Sequence, residues 1–245
     1  MGLRGAATTV GKRATKSGNA FRITADNLAD VTDEMWDEAY NAAIANNDLA
    51  EAQRLRDLHF KAKAPNTKIV DAAENPLHVY HGTKNNFNVF DNSKFGNTDG
   101  GTFGKGIYTT PSKEYANLYG DNVLDLYLNL ENPRNLRNVT PRDIYLSKME
   151  AITNGLDPDY MYTGIDVDGV WGSPSWKGKS FADEIVSHSN KKLKLADAVT
   201  HADDGTVIPL SKRDNFLNPD IRYSWLLPIG LTTTFGLPYA VNYND

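Results

Sequence analysis

Leu77-His78-Val79-Tyr80-His81-Gly82-Thr83 and, further along, Gly104-Lys105-Gly106-Ile107-Tyr108-Thr109-Thr110 are the two stretches from which the chain is best read. The first is a short apolar run ending in a histidine. The second is a glycine-rich loop that runs into a β-like segment and stops at Pro111. Runs this short, bounded by Gly and Pro, fit strands better than helices. A His and a Tyr on two such strands can grip a flat, polar ligand between them. That pairing makes the chain an enzyme candidate.

Around these stretches, residues 69–70, 77–80, 106–109, 123–130, 169–171 and 184–188 read as strands, and 206–210 follows a turn as another. Within 123–130, Val123, Asp125, Tyr127 and Asn129 alternate with Leu124, Leu126, Leu128 and Leu130. Residues 113–119 read as one helical stretch with Tyr115, Leu118 and Tyr119 on a face. Residues 133–165 read as polar and irregular.

Before the strands come two helices. Thr32 caps the first, with Asp33 and Glu34 in its opening turn. Trp36, Ala39, Tyr40, Ala43 and Ile44 fall on one helical face. Asp48 and Glu51 form a capping pair for the second helix. Its stripe is Ala52, Leu55, Leu58, His59 and Ala62, and Pro65 ends it. His59 on that stripe reads as a packed, hydrogen-bonded residue. The class is α+β: a basic flexible arm at 1–31, a helical hairpin at 32–66, a β-rich body at 67–224 and an apolar tail at 225–245.

Composition narrows the chemistry. The chain has 245 residues and a net charge of −5, so it is not built to coat nucleic acid. Its basic N-terminal arm reads as flexible, the alternative being an arm that touches nucleic acid or an acidic partner. The absence of cysteine excludes disulfides, thiolate metal sites and a cysteine nucleophile. The opening residues lack the apolar core of a secretory signal, and Ala6 breaks a myristoylation pattern. Pro228, Pro238 and several threonines interrupt the apolar run at 225–241, so no transmembrane segment is expected.

Several familiar sites fail on spacing. In a phosphate loop, Gly would stand at Asp99 and Ser or Thr at Gly106. The glycine spacing does not fit a dinucleotide-binding βαβ unit either. No two of His59, His78, His81, His188 and His201 have the i, i+4 spacing of a zinc helix, so no metal is expected. His78 and His81, three apart on a strand, point to opposite faces. No Gly-x-Ser-x-Gly elbow marks a serine hydrolase. His81, Tyr108 and an acid on a later strand remain. Asp183 and Glu184 are the acid candidates, and on residue type alone both read as carboxylates of a solvated turn.

His81-Gly82-Thr83, Phe87-x-x-Phe90, Gly104-Lys105-Gly106-Ile107-Tyr108 and Tyr115-Ala116-x-x-Tyr119-Gly120 together resemble ADP-ribosyltransferases of the His-Tyr-Glu branch, which contains diphtheria-type toxins and poly(ADP-ribose) polymerases. Closer still is the resemblance to the ADP-ribosyltransferase domains of phage and mobile-element polyvalent proteins. Asp168-Gly169-Val170 and the segments 207–213 and 220–224 extend it over residues 67–224. The resemblance implies a split β-sheet cleft that takes NAD as substrate and releases nicotinamide. It implies that His81 binds the adenosine-side ribose and that Gly82 bonds the nicotinamide amide through its backbone. Tyr108 stacks on the nicotinamide, and Thr83, Gly106 and Tyr119 complete the binding residues. Glu184 falls at the position of the catalytic acid, with Asp183 as the fallback. The sequence departs from the pattern at His188-Ser189 and Lys192.

The resemblance further implies a protein or nucleic-acid acceptor of ADP-ribose, with virion proteins among the partners, and a phage enzyme of the host cytoplasm or packaged in the virion. Two other readings fit the same residues: an NAD glycohydrolase, and an inactive transferase fold serving as a virion or assembly component. The helical hairpin, outside the resemblance, would dock a partner or cover the cleft.

Overall fold

The computed structural model describes residues 21–96, 102–158, 162, 164, 166–176, 179–180 and 182–223. Most of the expected arm and all of the expected apolar tail lie outside the described residues. The fold is α+β, with the helices leading into two sheets.

Helix α1 (Asp33–Ala45) begins where the Thr32 hydroxyl accepts the Met35 N–H at 3.3 Å. Helix α2 (Leu49–Lys63) begins where Asp48 accepts the Glu51 N–H at 3.0 Å. Each cap satisfies a donor that the first helical turn leaves open. Trp36, Tyr40 and Ala43 of α1 are buried with Ala52 and Leu55 of α2. Ile23 joins the same cluster, and Ala25–Asp30 forms a 3-10 turn, so the end of the arm nearest the helices is packed.

The strands and shorter helices follow in chain order. They are β1 (Val79–Thr83), β2 (Ile107–Thr109), α3 (Lys113–Ala116), β3 (Asn122–Leu128), β4 (Pro133–Leu136) and α4 (Pro141–Thr153). After them come β5 (Gly169–Gly172), β6 (Ser175–Trp176), β7 (Lys179–Ser180), β8 (Glu184–Ser187) and β9 (Leu193–Leu195). One sheet has the order β1-β3-β9 and is antiparallel throughout. The other has the order β2-β8-β5-β4, with only β4 and β5 parallel. β6 and β7 pair as a small hairpin.

Among the described residues, one backbone pair joins the two larger sheets: Tyr80 and Thr110 exchange both N–H···O bonds, at 2.7 and 3.0 Å. Both sheets also pack on one apolar core. Val79, Leu126, Leu128 and Leu193 enter it from the first sheet, and Ile107 and Ile185 from the second. The opposite face of the second sheet buries Phe103, Leu136, Tyr162, Val170 and Val186.

The helical hairpin serves the inside of this molecule. Arg56 of α2 is fully buried and donates to both oxygens of Asp214, at 2.7 and 2.9 Å, and to the Leu195 carbonyl. Tyr40 donates to the Ala198 carbonyl at 2.6 Å, and Phe60 packs on Tyr127 of β3. The hairpin therefore covers β3 and the chain around β9. His59 is buried as a packed residue, its Nδ1 2.6 Å from Asp214.

Several further segments differ from their sequence reading. Residues 69–70 make only an isolated bridge, Val70 with Pro76. The strand expected at 206–210 is a bridge from His201 to Val207, followed by a 3-10 turn at Leu210–Lys212. Helix α3 stops at Ala116, because the chain must turn at Gly120, against the backbone of Thr83, to enter β3. The supposedly irregular 133–165 contains β4 and α4. Thr140 and Asp143 cap each other at the start of α4, and Pro141 fills its first turn.

Candidate active site

The site lies where the two sheets part. Tyr80 uses both its N–H and its C=O on Thr110. Alternate residues of a strand present these groups to the same edge. Gly82 therefore presents its own N–H and C=O toward the β2 side, level with Tyr108. A side chain at Gly82 is impossible in this packing: a β-carbon would stand 1.7 Å from the Ala116 carbonyl oxygen. β1 and α3 thus touch backbone to backbone.

His81 bridges the opening. Its Nδ1 lies 2.8 Å from the Tyr108 carbonyl oxygen, and its ring meets Phe90 edge-on at 4.9 Å. A carbonyl only accepts, so Nδ1 carries the proton and Nε2 is an acceptor. Burial pushes the imidazole pKa down against the opposing pull of that bond, and the ring is neutral. His78, three residues earlier, turns to the other side and bonds Asp125 and Tyr127.

The Tyr108 hydroxyl donates to the Gly104 carbonyl at 2.7 Å and accepts from the Phe103 N–H at 2.9 Å. The end of the glycine loop and the tyrosine ring therefore hold each other in place. Gly106 is required by contact, since a β-carbon there would meet Val186 at 2.5 Å. The Thr83 hydroxyl accepts from the Asn85 N–H at 3.1 Å and shapes the turn out of β1.

The two acids separate. Glu184 is 8% exposed on β8, and its Oε1 accepts from the Tyr115 hydroxyl at 3.3 Å. Val186 pairs with Tyr108, and strand alternation puts Glu184, Val186 and Tyr108 on one face of the sheet. Opposite Glu184 on β5 is Gly172, whose place beside the Phe103 ring leaves no room for a β-carbon. Asp183 turns elsewhere and accepts from the Trp171 indole at 2.9 Å and the Ser173 hydroxyl at 2.5 Å. The expected solvated turn is not observed, because β5 and α3 enclose the start of β8.

Tyr119 reaches this group through another tyrosine. Its hydroxyl donates to that of Tyr115 at 3.2 Å, and the two rings meet edge-on at 5.7 Å. The fold thus gathers His81, Gly82, Tyr108 and Glu184, with Tyr119 linked through Tyr115. Thr83 supports them by shaping the turn out of β1, and Gly106 by its close approach to β8. Tyr115 was not among the expected site residues. Its signal in the sequence is Ser112, which caps α3 by accepting the Tyr115 N–H at 3.1 Å. That cap starts the helix at the residue that aims Tyr115 at β8.

Among the described residues no group of three acidic or histidine side chains is arranged for a metal, and no helix is long and apolar enough to cross a membrane. No curated protein matches the chain. The family model described as ADP-ribosyltransferase in polyvalent proteins matches residues 71–202, from the approach to β1 to beyond β9. That span is more than half of the sequence and contains every site residue named above. The chain belongs to the ADP-ribosyltransferase family of polyvalent proteins.

Proposed function

We propose that the protein is an NAD-dependent ADP-ribosyltransferase of the His-Tyr-Glu type, passing ADP-ribose to a protein or nucleic-acid acceptor with release of nicotinamide. The observation that carries this reading is the buried Glu184 carboxylate on the sheet face that bears Tyr108, with His81 bonded to the Tyr108 backbone.

Each residue has a task suited to its chemistry. The N–H and C=O of Gly82 complement a primary amide, which offers one acceptor and two donors. The rings of Tyr108 and Tyr119 flank the nicotinamide, and an aromatic face over a cationic ring gains roughly 0.5–2 kcal/mol. The Nε2 of neutral His81 accepts a ribose hydroxyl. Glu184 accepts the 2′-hydroxyl of the nicotinamide ribose and stabilises positive charge developing at C1′. The bond from C1′ to nicotinamide breaks with both electrons leaving on the nicotinamide, which departs neutral. The acceptor atom bonds C1′ and gives up its proton.

Glu184→Gln tests the reading. Nicotinamide release and labelling of acceptor by isotopic NAD should fall by roughly 10² to 10³, with NAD binding retained. Undiminished transfer by this variant would overturn the role of Glu184. Nicotinamide release by the unaltered protein with no labelled macromolecule would make water the acceptor and the protein an NAD glycohydrolase. No NAD binding by calorimetry would leave an inactive fold used for assembly.

A further inference from the structure

The chemistry above leaves Tyr115 without a task, yet its hydroxyl contacts the Glu184 carboxylate at 3.3 Å. An ionised carboxylate only accepts, so Tyr115 is the donor in this pair. Its oxygen then accepts from Tyr119, whose hydroxyl lies 3.2 Å away. The hydroxyls therefore run in one direction, from Tyr119 to Tyr115 to Glu184, and such a series polarises each member. The root of the series is fixed. Ser112 caps α3 on the Tyr115 N–H, and the Ala116 carbonyl abuts Gly82. Burial, then the hydrogen bond with Tyr119 and the charge of Glu184, raise the Tyr115 pKa, so the hydroxyl keeps its proton.

We infer that Tyr115 is a positioning residue, orienting the Glu184 carboxylate through its hydroxyl, with Tyr119 as the outer end of the relay. The inference rests on the reading of Glu184 as the reacting acid. The contact of 3.3 Å is longer than a fully formed O–H···O bond, and catalytic hydrogen bonds tighten when substrate is seated. Tyr119 supplies the means. Its ring is 57% exposed, so a nicotinamide stacked on it would order the hydroxyl that feeds the relay. Seating of the donor and orientation of the acid are thereby linked.

The test compares Tyr115→Phe and Tyr119→Phe with Glu184→Gln in the full chain, using steady-state nicotinamide release from NAD. Tyr115→Phe keeps the ring and loses only the hydroxyl. Its kcat should fall about 10-fold or more, as expected for a lost hydrogen bond to a charged group. Its KM for NAD should stay within about 2-fold, since Tyr115 acts on the acid and not on the donor. Tyr119→Phe should lower kcat by a smaller factor. If Glu184→Gln is inactive while both tyrosine variants keep the original kcat, the positioning role is wrong and the acid stands. If Tyr115→Phe raises KM with kcat unchanged, Tyr115 binds the donor and the inference also fails. If Glu184→Gln retains activity, the reading of the acid is what falls.

Discussion

Gly82 is where a single methyl group would be felt most. Its β-carbon would overlap the Ala116 carbonyl, so β1 and α3 could not approach as they do. Gly82→Ala should destabilise the protein by about 1–3 kcal/mol, the usual cost of overpacking. It should also weaken NAD binding, because His81 and the Tyr115–Tyr119 pair would move apart. Urea unfolding and calorimetry with NAD would check this, and an unchanged midpoint with unchanged affinity would refute it. His81 and Tyr108 were legible from glycine punctuation around short apolar runs. The choice between Asp183 and Glu184 was not. Adjacent strand residues face opposite ways, but which way is set by pairing: Val186 opposite Tyr108, and Trp171 opposite Ile185. Tyr115 was hidden for a related reason, since its partner lies 69 positions away.

At the scale of elements, the caps of α1 and α2 read directly from Thr32 and Asp48 because capping is local. The same logic applies to Thr140, Pro141 and Asp143, where polar composition masked α4. What α2 packs against was not local. Arg56 looks like a solvated residue beside an apolar stripe, yet it is buried on Asp214. Burial alone would raise the Asp214 carboxyl pKa, but Arg56 and His59 hold it well below the usual carboxylate range. Asp214→Ala would leave the Arg56 charge buried without its counterion, a loss of about 3–5 kcal/mol. Thermal or urea unfolding would measure it, and a loss below about 1 kcal/mol would show that the pair does not anchor the hairpin. Lys194 adds to the same region by donating to the carbonyls of Asn218, Asp220 and Tyr223. Three acceptors need three N–H bonds, so the ammonium form is the one that fits.

Across the whole molecule, His78 joins the hairpin to the sheet. Its Nδ1 meets Asp125 at 3.0 Å and its Nε2 meets the Tyr127 hydroxyl at 2.9 Å, which in turn donates to Asp57 of α2 at 2.5 Å. Asp125 first, then Asp57, outweigh burial and raise the His78 pKa to about 9 from 6.5. A raised histidine pKa means that the folded state binds the proton more tightly. The contribution is complete below about pH 6.5 and is lost as pH rises through about 9. The stability difference between the unaltered protein and His78→Gln should therefore shrink over that window, and a pH-independent difference would exclude the effect. Subtracting the variant removes other groups that titrate in the same range. The amino-acid order alone carried the α+β class, the helical hairpin, the His81 and Tyr108 strands and the family, because caps, glycine stops and short motifs act over a few residues. Folding had to supply the sheet order, the opening beyond Tyr80 and Thr110, the acid that shares the sheet face of Tyr108 and the burial of Arg56. Each of these depends on which distant strands pair and in what register, and long-range pairing leaves no mark within any one segment.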